Sequence, residues 1–85
     1  MKIKCIIIDD EPLAGEVIET HLNEFSNMQL LASYTNPLDA LTIIESGDVD
    51  AVFIDINMPK MNGLDFIKSL DAKPYFIITT AYREY

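Results

Sequence analysis

Basic residues are scarce in this chain of 85 residues: 6 Lys and Arg stand against 14 Asp and Glu, for a formal charge of −8. A surface that grips nucleic acid must replace counterions with Lys and Arg, so that role is excluded for this segment, whereas a metal cation or a basic partner suits it. Cysteine occurs once, as Cys5 inside the apolar run from Ile3 to Ile8. A lone cysteine makes no internal disulfide, which fits a reducing compartment. In such a run a small buried hydrophobe outweighs a reactive thiol. Histidine also occurs once, and His21 reads as a residue at the border of a helix's buried stripe rather than as a phosphotransfer group or metal ligand. No apolar run approaches membrane-spanning length, and the N-terminus enters strand-like sequence with no signal peptide. The expected location is the cytoplasm, with no membrane partner. The length admits one small domain, residues 1–85. With 49% hydrophobic residues, that domain is globular rather than disordered.

Ile3 to Ile8 is nearly all apolar and rich in β-branched residues, the pattern of a strand buried on both faces. It runs into Asp9-Asp10-Glu11 and then Pro12, which suits a first helical turn. Leu13, Ala14, Val17, Ile18, Leu22 and Phe25 recur at helical spacing and predict an amphipathic helix with these residues buried. Met28 to Tyr34 reads as a second strand. Asn36-Pro37 with Asp39 is a helix start, Leu38, Leu41 and Ile44 its buried stripe, and Gly47 its end. Ala51 to Ile54 is a third buried strand, ending in Asp55. A loop from Asn57 to Gly63 leads to a short helix carrying Leu64, Phe66, Ile67 and Leu70, with Asn62 as its cap. The last strand runs from Tyr75 to Thr79 and into Thr80-Ala81. The order βαβαβαβ predicts an α/β fold, a parallel sheet with helices on both faces.

Ligands of such a sheet bind beyond the carboxyl ends of its strands. Asp9 and Asp10 stand at the first of those ends, Asp55 at the third and Thr80 at the fourth. A single acid there is commonly a loop residue or a cap, but two acidic strand ends plus a hydroxyl are harder to dismiss. Three crowded carboxylates repel one another unless a cation joins them. Oxygen ligands without His or Cys suit Mg²⁺. A carboxylate is a competent nucleophile for a phosphoryl group. Asp55, alone at a central strand end, is the natural acceptor, and Thr80 could donate a hydrogen bond to a phosphoryl oxygen.

Ile7-Ile8-Asp9-Asp10-Glu11-Pro12, Phe53-Ile54-Asp55-Ile56-Asn57-Met58-Pro59 with Met61-Asn62-Gly63, and Thr80-Ala81 together resemble the receiver domains of bacterial two-component response regulators. The resemblance implies a flavodoxin-like parallel sheet in which the present strands are ordered 2-1-3-4. It implies Asp55 as phosphoacceptor, Asp9 and Asp10 as the acidic pair with Asp10 the direct Mg²⁺ ligand, and the backbone carbonyl of Asn57 completing the metal shell. Thr80 corresponds to the switch hydroxyl, and Ala81 is small as that place requires. The implied donor is a sensor histidine kinase. The stretches Ile8 to Ala14 and Thr79 to Tyr85 further resemble receivers that precede a LytTR-type DNA-binding domain, so DNA is reached only through an effector domain.

The family pattern continues through a fourth helix, a fifth strand bearing a lysine, and a fifth helix, none of which has a counterpart here. Lys60, before the third helix, does not replace that lysine. The expectation is an incomplete receiver that covers an open sheet edge by homodimerising. It is a signalling module, not an enzyme. Two rivals stand beside it: a Mg²⁺-dependent hydrolase working through an aspartyl phosphate, and a non-phosphorylated receiver-like dimerisation module. The hydrolase pattern usually places a second acid two residues after the nucleophile, where this chain has Asn57.

Overall fold

The computed structural model describes residues 2–58, 61–71 and 74–79. The elements are β1 (Ile3–Ile8), α1 (Pro12–Leu22), β2 (Met28–Tyr34), a 3₁₀ turn (Pro37–Ala40) leading into α2 (Leu41–Glu45), β3 (Ala51–Ile54), α3 (Gly63–Ser69) and β4 (Tyr75–Ile78). All strand pairs are parallel, in the order β2-β1-β3-β4. This is the α/β sheet that the alternation of strands and helices implies.

β1 lies in the interior of the sheet, and its side chains divide between two cores. Ile6 and Ile8 join Val52, Ile54, Ala40, Ile44, Phe66 and Leu70 on the face covered by α2 and α3. Cys5 and Ile7 join Leu22 and Ala51 on the face covered by α1. Ile6, Ile7 and Ile8 are wholly buried, and each contributes about 1.5–3 kcal/mol by leaving water. Cys5 is buried too; its thiol donates to the Gln29 carbonyl at 3.4 Å, and burial pushes its pKa up, so it is an unreactive core residue.

The helix starts follow the local sequence. Pro12 opens α1 and Pro37 opens the 3₁₀ turn, where the Asn36 side chain accepts from the Leu38 N–H at 3.0 Å. Asn62 caps α3, accepting from the Leu64 N–H at 2.8 Å. After α2, Gly47 adopts φ +84°, the left-handed conformation that favours glycine.

The apolar stripes are less fully buried than their spacing predicts. Leu13, Val17 and Phe25 of the first stripe are 72%, 57% and 56% exposed, while Gly15 and Leu22 are buried and Ile18 partly so. The helix lies close to the sheet at Gly15, where an added Cβ would lie 3.3 Å from Ser33 Oγ and 3.8 Å from Ile7 Cγ2. It therefore rests on β2 and β1. A trough lined by Ile18, Phe25, Phe53 and Ile77 remains over β3 and β4. Leu38 and Leu64 are likewise exposed, while Leu41 is half-buried and Ile44 and Phe66 are buried.

Candidate functional site

The register of the sheet builds the site. Ile8 pairs with Ile54, and Ile54 with Ile78, so β1, β3 and β4 end level. The ladder runs one residue further: Asp9 N–H donates to the Tyr34 carbonyl at 3.0 Å, Asp55 N–H to the Ile8 carbonyl at 3.0 Å, and Thr79 N–H to the Ile54 carbonyl at 2.9 Å. Asp9 and Asp55 thus stand side by side at the carboxyl edge with fixed backbones.

Both side chains are held by the same local device. Asp9 Oδ1 accepts from the Glu11 N–H at 2.9 Å, and Asp55 Oδ1 accepts from the Asn57 N–H at 2.9 Å. Each is an aspartate turn in which the carboxylate satisfies the backbone two residues on. Asp9 is 4% and Asp55 2% exposed, while Asp10 is half-buried. One carboxylate oxygen from each of Asp9, Asp10 and Asp55 lies within 4.8 Å of the others.

This arrangement is electrostatically uncomfortable without a cation. Desolvation pushes the Asp9 pKa up; the Glu11 N–H opposes the shift, and the charges of Asp55, Asp10 and Glu11 add to it. The donor set is all oxygen, the preference of hard cations. Mg²⁺ takes such ligands at about 2.0–2.1 Å, so two oxygens on one ion lie roughly 3–4 Å apart. The carboxylates need move little to meet one ion, directly or through a retained water. The residues present therefore fit Mg²⁺.

Asn57 lies just beyond Asp55 and forms an isolated antiparallel bridge with Asn62 across the loop. That bridge brings the start of α3 against the end of β3, a contact that the sequence pattern alone did not predict. The sign available in the sequence was the glycine at the end of that loop, Gly63. Beside Asp10, a cleft of about 370 Å³ is lined by Asn36, Pro37, Leu38, Met58 and Met61. Met58 is buried in the core and Met61 packs against it, and both border the cleft together with Leu38. Thr80, Ala81, Pro59 and Lys60 lie outside the described residues.

A parallel α/β sheet with an acidic cluster where adjacent strands end defines the class: a fold that works at the carboxyl edge of its sheet. A family profile for the response regulator receiver domain matches residues 5–85, and the chain belongs to that family. It is similar to the transcriptional regulatory protein BtsR of Escherichia coli K12, with 35% identity over 85 residues covering 98% of this chain and 36% of the relative. Among solved structures it resembles the response regulatory domain of MrkE from Klebsiella pneumoniae, at 34% identity and TM-score 0.78, covering 96% of this chain and 70% of that one. It also resembles a chain from the complex of histidine kinase ThkA with response regulator TrrA, at 34% identity and TM-score 0.72, covering 100% of this chain and 73% of that one. The chain thus spans about a third of the length of its curated relatives, 36% for BtsR. No helix among the described residues is long and apolar enough to cross a membrane.

Proposed function

We propose that this receiver accepts a phosphoryl group on Asp55 from the phosphohistidine of a sensor histidine kinase, and relays the change to a transcriptional effector. The meeting of Asp9, Asp10 and Asp55 at one sheet edge, two of them buried, is the observation that carries this reading. The Asn57 N–H holds one oxygen of Asp55 and leaves the other for the phosphoryl group. That oxygen attacks phosphorus in line; the new O–P bond forms as the N–P bond breaks and its electron pair returns to the imidazole. Asp9, Asp10, Asp55 and the backbone carbonyl of Asn57 would hold Mg²⁺, with Asp10 the direct ligand; when bound, the ion supplies charge neutralisation for the phosphoryl oxygens. Thr80 supplies the switch hydroxyl, an assignment that rests on the family resemblance.

The added charge of roughly −2 biases a bistable face of the domain. The chain accepts one group and holds it, so it is a signalling module rather than an enzyme. The effector is a DNA-binding domain of LytTR type, supported by the local sequence likeness and by the naming of BtsR as a transcriptional regulator. DNA is reached only through that effector. The receiver itself pairs with a second copy, and its site of action is the cytoplasm.

Intact mass after incubation with Mg²⁺ and a small phosphodonor tests the reading. The expected result is one phosphate adduct, lost in Asp55→Asn. Donor turnover without an adduct would indicate a hydrolase, and an unchanged mass with intact donor a docking module; either result overturns acceptance on Asp55.

A further inference from the structure

The loop after Asp55 closes on itself through a contact that leaves no room for a side chain. Asn57 bridges Asn62, and the Gly63 N–H donates to the Ile56 carbonyl at 3.2 Å. A Cβ on Gly63 would lie 2.7 Å from Ile56 Cα and 2.8 Å from the Asp55 carbonyl oxygen. Both neighbours are backbone atoms, which cannot swing aside as a flexible side chain can. Gly63 itself has no positive φ, so the demand is for space and not for an unusual backbone conformation. An Ile56 methyl, Cγ2, would also lie 3.2 Å from the added carbon.

We propose that Gly63 is a positioning residue for the acidic centre, letting the first turn of α3 lie directly on the backbone of residues 55–57 and so fix both Asn57 and the Asp55 carboxylate. The path is short. Gly63 holds the Ile56 carbonyl; Ile56 is joined to Asn57; the Asn57 N–H holds Asp55 Oδ1 at 2.9 Å. Asn62 secures the other side by capping α3 through the Leu64 N–H at 2.8 Å. A Cβ at Gly63 must push α3 off the strand end, carrying the Asn57 carbonyl and the turn around Asp55 with it. Partners that orient metal ligands commonly govern affinity by about 10–100-fold. The inference rests on the Mg²⁺ reading of the site.

The experiment measures Mg²⁺ affinity by competition with Mn²⁺ followed by electron paramagnetic resonance, alongside the metal-free melting temperature. Gly63→Ala is expected to bind at least about tenfold more weakly. Ile44→Val, which loses one buried methyl group on α2, controls for general loosening of the core and is expected to bind as the parent does. Mg²⁺ affinity of Gly63→Ala within twofold of the parent overturns the positioning role, as does an equal loss in Ile44→Val. If Gly63→Ala does not fold, Asn62 decides. Asn62→Ala is expected to weaken binding several-fold and Asn62→Ser, which keeps a capping oxygen, to restore it; equal affinities in all three overturn the proposal. An unmodified chain that binds no Mg²⁺ overturns the metal reading and this inference together, an outcome distinct from a parent that binds and a Gly63→Ala chain that binds equally.

Discussion

Asp9 shows how one residue can serve the site at the expense of the fold. The residue is 4% exposed, its carboxylate lies close to those of Asp55 and Asp10, and it keeps its proton to higher pH than in the unfolded chain. Between the ordinary carboxylate range and that raised value the folded state binds more protons than the unfolded one. The Asp9 contribution to stability therefore falls as pH rises through this window, and the loss persists at neutral pH. Asp9→Asn should remove it, because an amide oxygen can still accept from the Glu11 N–H. The expected outcome is a higher metal-free melting temperature for Asp9→Asn at pH 7, with the advantage shrinking below about pH 4. Mg²⁺ should raise the melting temperature of the parent more than that of the variant, since binding to the folded state alone adds stability. A variant that melts below the parent at pH 7 without metal would sink this account.

Among the elements, the turns were the most legible parts of the sequence. Asn36-Pro37 and Asn62-Gly63 announce helix starts because a short side-chain oxygen, or a proline lacking an N–H, meets a need common to every helix start. Gly47 marks the end of α2 for an equally local reason, its φ of +84°. An added Cβ there meets nothing within 4 Å, so Gly47→Ala isolates the conformational cost. The expected loss is about 1 kcal/mol, a fall of roughly 4–8 °C in melting temperature by circular dichroism. Burial of the helix stripes was less legible. Spacing shows that Leu13, Val17 and Ile18 share a face, but not which part of the sheet that face meets. Gly15 settles this by allowing α1 to sit close over β1 and β2. The acidic centre was readable because neighbouring parallel strands carry the acids that follow β1 and β3 to one edge whatever the loops do. The closure of the loop on Asp55 was not readable, since it depends on a backbone approach that only the folded chain reveals.

For the molecule as a whole, the two faces of the sheet are unequally covered. The α2 and α3 face gathers most of the buried side chains, while the α1 face keeps its trough open beside β4. β4 pairs with β3 on one side, and no described strand pairs with its other edge. Along it Tyr75 is 82%, Ile77 42% and Ile78 46% exposed. An apolar strand edge with unused backbone groups is a template for another strand. A second copy of this chain offers both the matching edge and apolar groups to fill the trough, and a two-fold arrangement would satisfy both copies at once. Sedimentation velocity should therefore show a monomer–dimer equilibrium that shifts with concentration. Ile77→Lys should move it to monomer, because a charge on that strand opposes both edge pairing and burial in the trough. Phosphate uptake by Ile77→Lys should match that of the parent, since Ile77 is not among the groups that surround Asp55. A parent chain that sediments as one monomeric species at every concentration would show that the open edge is tolerated in solution, and that pairing is no part of how this receiver works.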